Sequence, residues 1–443
     1  MGLIVLKNIV FITILGLFSC GNVKDDGRRV TGDGSALNAT LEIQETEIDD
    51  FNDKDEREKN KDIVLGANRY NVYLPMLKNK KVGVVANQTS VTNIFEKEIN
   101  SGIYNPADHT TNNNTHLVDY LVSAKISVKK VYAPEHGFRG KADAGELLKD
   151  GVDVKTGIPI ISIYGKSKKP SPEQLAGIDV MVFDIQDVGA RFYTYISTLH
   201  YVMEACAEAG IPVIVLDRPN PNGYYIDGPI LEKEHAGFVG MHPIPVVHGM
   251  TIGEYAKMIN GEGWLENNIK CDLTVIEMEN YERNMPYSLP IKPSPNLPND
   301  ISINLYPSLC FFEGTIVSAG RGTEQQFQIF GAPSLPSTLY DFQFTPQANE
   351  GAKYPKFKGE LCQGKDLTNH PKLNKINLEW LIEAYEAHGK KKDFFIPYFT
   401  TLAGTKKLQQ QIEQGLSAEE IRATWASGLK EFDAMRQQYL MYD

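Results

Sequence analysis

The stretch "VYAPEHGFRG", residues 131–140, carries an apolar run up to Glu135 and His136 and then breaks it with Gly137 and Gly140. A carboxyl group at such a break is a general acid if burial raises its pKa, and a base or nucleophile if it stays ionised. His136 and Arg139 stand near enough in sequence to tune it, and the two glycines let backbone approach a ligand. The plainer reading of Glu135 is a turn cap. Asp184 and Asp187 sit three residues apart in "FDIQDVGARFYTY" and share a face if a helix begins at once, with Arg191 as a partner for either. A salt bridge that anchors the loop explains the same three residues. Tyr193 offers a ring that either stacks on a sugar or packs in a core. Asp217, Arg218 and Asn220 fall in "LDRPNPNG". A guanidinium fork and an amide suit hydroxyl, amide or carboxylate groups of a ligand. The same segment is rich in turn formers. His248 in "PVVHGMT", Glu313 in "FFEGT" and Arg321 in "GRGTE" complete the candidates.

These residues need elements to position them. From about residue 64, apolar runs alternate with helical spacing. "KVGVVANQ", "VKKVYAPE", "IPIISIYG", "DVMVFDIQ" and "IPVIVLDRPN" read as buried strands, and "THLVDYLVSA" and residues 194–209, closed by Gly210, read as helices. Ser171-Pro172-Glu173 opens a further helix. Apolar strands separated by helices predict a doubly wound, mostly parallel, Rossmann-like sheet domain. Ligands bind such sheets beyond the carboxyl ends of the strands. Glu135, Asp184 and Asp217 each end a separate apolar run, so all three should reach one sheet edge. A smaller carboxy-terminal α/β domain is expected to follow, entered through the proline-rich "PIKPSPNLPND" and ending in helices behind a Ser417/Glu420 capping box. The expected division is 1–20, 21–62, 63–249 and 250–443.

Composition narrows the partners. Forty-five Lys and Arg against 56 Asp and Glu leave a net charge of −11, which argues against nucleic acid. Much of that charge is local, since residues 21–62 hold thirteen acids and seven bases and read as a disordered acidic tether. Residues 1–20 combine Lys7, a short apolar stretch and "LFSC", which is similar to a bacterial lipobox with Cys20 as the lipidated residue. The reading is a lipid anchor in the cell envelope, at the outer membrane; a plain secretory signal is the alternative. Cys206, Cys271, Cys310 and Cys362 show no CxxC spacing, so buried thiols are expected and no thiolate metal site. No glycine-rich phosphate loop, GxSxG elbow or HExxH occurs, so no cofactor and no metal is expected.

"PEHGFRG", "DVMVFDIQDVGARFYTYISTL", "LDRPNPNG", "PVVHGMTIGE", "PSPNLPN", "FEGTIVSAGRGT" and "FGAP", in that order over 64–443, together resemble the exo-β-N-acetylmuramidase (NamZ) family, long known only as a domain of unknown function. The resemblance implies two α/β domains with a cleft between them. It implies release of N-acetylmuramic acid from the non-reducing end of peptidoglycan fragments, with Glu135 as the catalytic carboxyl. By position, Asp184 or Asp187 is expected as base or electrostatic partner, with His136 and His248 near the chemistry. Arg191, Arg218 or Arg321 would take the lactyl carboxylate of muramic acid. The competing reading is a non-catalytic, surface-anchored muropeptide-binding lipoprotein.

Overall fold

A computed structural model describes residues 62–92, 114–139, 150–165 and 167–443. Cys20 and the targeting segment, the acidic stretch through residue 61, the asparagine-rich insertion through residue 113 and Gly140 lie outside the described residues. Residues 61–443 form one compact unit.

Twelve strands are described. They are β1 (Lys81–Ala86), β2 (Val91–Thr92), β3 (Thr115–His116), β4 (Ser127–Ala133), β5 (Gly151–Val152), β6 (Pro159–Ser162), β7 (Val180–Asp184), β8 (Val213–Leu216), β9 (Leu273–Ile276), β10 (Ile329–Ala332), β11 (Phe342–Phe344) and β12 (Cys362–Asp366). Seven make one sheet in the order β5-β6-β4-β1-β7-β8-β9. Every pair in it is parallel except the edge pair β5–β6. Strand order reverses between β1, whose connection runs to β4, and β7, whose connection runs to β8 on the other side, so the loops leaving β1 and β7 diverge there and open a crevice.

The apolar runs follow from burial on both faces. Side chains alternate across a strand, so a sheet covered on both sides needs apolar residues at every position. Val82, Val84, Val182, Ile214 and Leu216 pack on one face with Tyr73, Leu117 and Leu121. Val85, Met181, Phe183, Val213 and Val215 pack on the other with Leu199, Val202 and Met203 of the helix Tyr195–Ala209. Gly210 ends that helix in the left-handed region at φ 66°. The expected Ser417 capping box is present, and the helix expected at Ser171-Pro172-Glu173 also opens on a capping box, with Gln174.

One expectation needs correction. The division at 249/250 falls inside the first layer. The helix Ile252–Gly261 packs against Tyr195–Ala209, and β9 adds the last strand to the large sheet. The separate antiparallel sheet β10-β12-β11 belongs to the smaller carboxy-terminal region. The terminal helical stretch is two helices, Ala418–Ala423 and Ala426–Arg436. The break turns Trp425 inward, where it is buried. Both regions contribute to one core, and Phe192 meets Tyr306 and Phe311 edge-on at centroid separations of 5.3 and 5.9 Å. The four described cysteines are buried free thiols.

His116 secures the carboxyl end of β1. Its Nε2 contacts the Asn87 carbonyl at 2.9 Å and its Nδ1 accepts from the Val118 N–H at 3.2 Å, so the proton sits on Nε2. Burial pushes the imidazole down from 6.5 to about 4. The native state therefore holds it neutral while the unfolded chain protonates it near the ordinary value. Its contribution is complete above pH 6.5 and is lost as pH falls towards 4, by about 3 kcal/mol. His116→Gln should flatten the slope of unfolding free energy against pH over that window in urea titrations. An unchanged slope would rule out this source of acid sensitivity.

Candidate active site

Glu135 lies two residues past the end of β4 and leaves the sheet beside the strand-order reversal. His136 and Gly137 both take the left-handed conformation, at φ 66° and 75°. A non-glycine residue there is uncommon, and two in succession fold the chain back sharply. That turn leaves Glu135 half-buried on the wall of a cavity of about 280 Å³. Two hydroxyls hold its carboxyl group. Tyr164 Oη donates to Oε1 at 3.0 Å, and Thr194 Oγ1 donates to Oε2 at 3.1 Å. Burial, then the adjacent Glu135, holds the Tyr164 hydroxyl above its ordinary range, so it remains a donor. Asn87 Nδ2 donates to Tyr195 Oη at 2.9 Å across the end of β1, and Tyr195 Oη donates to the Glu135 carbonyl at 3.4 Å, fixing the start of its helix under Glu135.

The smaller region closes the other side of the cavity. Glu313, at the end of the 3₁₀ turn Cys310–Gly314, and Arg321 line it together with Tyr306, Phe327 and Tyr398. Arg321 Nε donates to Glu313 Oε1, and the guanidinium lies 5.1 Å from the Phe327 ring centroid. Burial raises the Tyr398 hydroxyl out of the titrating range, and nearby Cys310, Glu313 and Glu135 act in the same direction. Lys356 anchors the segment that carries Glu313. Its ammonium donates to the carbonyls of Phe312, Glu313, Thr315 and Val317 at 2.6–3.3 Å, satisfying groups that the end of a short helix leaves open. Burial pushes that lysine down to about 8.

Of the residues singled out in the sequence, Glu135, His136, Tyr193, Glu313 and Arg321 line this cavity. The others do not. Asp184 is fully buried, and Arg218 grips it with Nε at 2.6 Å and Nη2 at 2.9 Å. Asp217 accepts from Thr251, Gly253, Tyr442 and the Arg218 N–H, all within the packed layer. Asp187 accepts from the Gly189 N–H and lies 3.7 Å from His248 Nε2, both side chains buried. Arg191 spends its guanidinium on the carbonyls of Pro229, Ile244, Leu402 and Ala403. Asn220 donates to the Met250 carbonyl. Arg139 pairs with Asp119 and Asp153. None of Asp184, Asp187, Asp217, Arg139, Arg191, Arg218, Asn220 and His248 lines the cavity, and their hydrogen bonds tie loops together, although Asp187 Oδ1, Arg191 Nε and His248 Nε2 are buried without a hydrogen-bond partner among the described residues. Tyr164, Thr194 and Tyr398 were missed. Tyr164 had a signal, since it lies just past the end of β6; Tyr398 had none.

Two triplets have the proximity a cation would need, Glu232–Glu234–His235 and Glu204–Glu208–Glu266. Lys407 and Lys169 already neutralise an acid in each, and neither triplet lines the cavity.

A Rossmann-like layer joined to a smaller α/β region, with carboxyl groups from both facing one aromatic-lined cavity, defines an α/β protein equipped for acid–base chemistry on a small polar ligand. Two family descriptions match the chain: the exo-β-N-acetylmuramidase NamZ amino-terminal domain over residues 82–301 and its carboxy-terminal domain over residues 304–442. The chain belongs to the NamZ exo-β-N-acetylmuramidase family. It is 38% identical over 389 residues to the peptidoglycan β-N-acetylmuramidase NamZ of Bacillus subtilis, covering 84% of this chain and 89% of that one. Two crystal structures of DUF1343-family proteins from Bacteroides fragilis are similar. One has a TM-score of 0.76 and 42% identity, the other 0.71 and 29%, and each match covers 86% of this chain and 99% of the other.

Proposed function

We propose that this chain is an exo-acting glycoside hydrolase that releases N-acetylmuramic acid from the non-reducing end of peptidoglycan fragments. The observation that carries the chemistry is the meeting of Glu135, Glu313 and Arg321 in one cavity with aromatic walls. Cleaving a glycosidic bond needs an acid to protonate the leaving oxygen and a second group to meet the cationic transition state or its water. In this reading Glu135 is the acid. Its two hydroxyl partners fix the direction in which the carboxyl presents its proton. Glu313 takes the second role, since it lines the cavity and the buried Asp184 and Asp187 do not. Arg321 keeps Nε on Glu313, and among the described residues its two terminal nitrogens have no hydrogen-bond partner. They suit the lactyl carboxylate that separates muramic acid from glucosamine, since a guanidinium edge matches a carboxylate. Arg191 and Arg218 have no such edge to offer.

Glu135→Gln should lower release of N-acetylmuramic acid from a defined disaccharide by roughly 10²- to 10⁴-fold, the usual worth of a general acid, with the melting temperature nearly unchanged. Retained turnover would remove Glu135 from the mechanism. Arg321→Met should cost about 10- to 100-fold in kcat/KM on the muramic acid substrate and much less on the same glycoside lacking the lactyl group. Equal losses on both would assign Arg321 to structure alone.

The amino terminus adds a location to this reading. We propose that Cys20 is lipidated and that residues 21–62 space the enzyme from an envelope membrane; support comes from "LFSC" and the acidic composition behind it. Cells fed a labelled fatty acid should incorporate it into the wild-type chain and not into Cys20→Ala. Equal labelling would leave a plain secretory signal.

A further inference from the structure

A second hollow, of about 380 Å³, borders the same Glu313–Arg321 pair, and its lining includes Ser318, Gly351, Tyr354 and Lys356. Asn296 joins the two spaces. It lines the Glu135 cavity, and its Nδ2 donates at 2.6 Å to the carbonyl of Gly351, which lines the second hollow. A side chain at Gly351 would collide with Asn296, with a Cβ 2.9 Å from Oδ1, so the close approach that links the two walls requires glycine. Tyr354 stands at the hollow 92% exposed. A tyrosine left so open holds a large apolar face in water, and such a face beside a concavity is a stacking platform for a ring.

We propose that this hollow is the subsite for the leaving-group sugar, an uncharged N-acetylhexosamine ring, with Tyr354 as its platform. This rests on the hydrolase reading above. An enzyme that removes the terminal residue holds that residue in the cavity beside the acid, and the rest of the glycan continues past the cleavage point. Among the described residues, Glu313 and Arg321 line both spaces, so they mark where one passes into the other. Charge decides the kind of occupant. Arg321 is shared between Glu313 and, in the reading above, the lactyl carboxylate in the first cavity, and the Lys356 ammonium is already surrounded by four carbonyls. Those groups leave little charge for an anionic peptide. A pyranose fits, because its axial C–H face packs on an aromatic ring while its hydroxyls and acetamide reach the polar wall.

The test compares two substrates on the full chain: a disaccharide of N-acetylmuramic acid on N-acetylglucosamine, and β-N-acetylmuramyl fluoride, whose leaving group is a single atom. Tyr354→Ala should lower the ratio of kcat/KM for the disaccharide over the fluoride about fivefold to tenfold, and Tyr354→Phe should restore it. The side chain is exposed, so folding is not at risk. An unchanged ratio overturns the subsite. Free N-acetylglucosamine, followed by saturation-transfer NMR, should contact wild type and lose contact in Tyr354→Ala. If that contact is seen but no sugar is released from either substrate, the subsite stands and the hydrolase reading fails. If sugar is released but the contact is the same in both proteins, the hydrolase reading stands and the subsite fails.

Discussion

Arg218 reaches from the end of β8 to the Asp184 carboxylate at the end of β7 and also donates to the Val91 carbonyl at 2.9 Å. Both charged groups are removed from water. Such a pair is tolerated only when the geometry is good and every donor is used, and breaking it leaves a bare charge inside the protein. The consequence is directional. Two neighbouring strand ends and the β2 segment are locked at a fixed spacing, so the crevice at the strand-order reversal has a rigid floor. Asp217, saturated by four donors, extends that floor towards β9. Two of the three acids at the sheet edge therefore build the platform, and Glu135 stands on it with its carboxyl turned to the cavity.

The second wall comes from the other end of the chain. Arg191, buried under the first layer, donates to the carbonyls of Leu402 and Ala403, the last two residues of the helix that presents Tyr398. Lys356 gathers the carbonyls around Glu313 in the same way. Each cation is spent on backbone oxygens, so each fixes where a loop lies and offers nothing to substrate. Tyr193 adds a third tie by donating to the Pro293 carbonyl at 2.8 Å, which pins the proline-rich crossing against the first layer. The cavity then has polar groups from both regions converging on an aromatic space, the usual character of a small-molecule site.

Much of the architecture was legible because strand burial has a simple signature. β1, β7 and β8 are apolar at nearly every position, which only a sheet covered on both faces explains, and Gly210 marks a helix end by the conformation it adopts. The strand-end rule also located Glu135. The same rule named Asp184 and Asp217 with equal force, and it had no means of separating them from Glu135. Sequence spacing reports which edge of a sheet a side chain reaches. It does not report whether a guanidinium 34 residues away, as Arg218 is from Asp184, will close over it.

The chain order of apolar runs, helix caps and glycine breaks by itself determined a parallel sheet with acids at its carboxyl edge and a second α/β region behind a proline-rich crossing. Those features are local, set by side-chain period and backbone conformation within a few residues. Tertiary structure alone decided that β9 belongs to the first layer, that Glu313 and Arg321 face Glu135's cavity, and that Asp184, Asp187, Arg191 and Arg218 do not. Those outcomes depend on which distant groups neutralise one another once water is excluded, and that competition is settled only when the whole core closes.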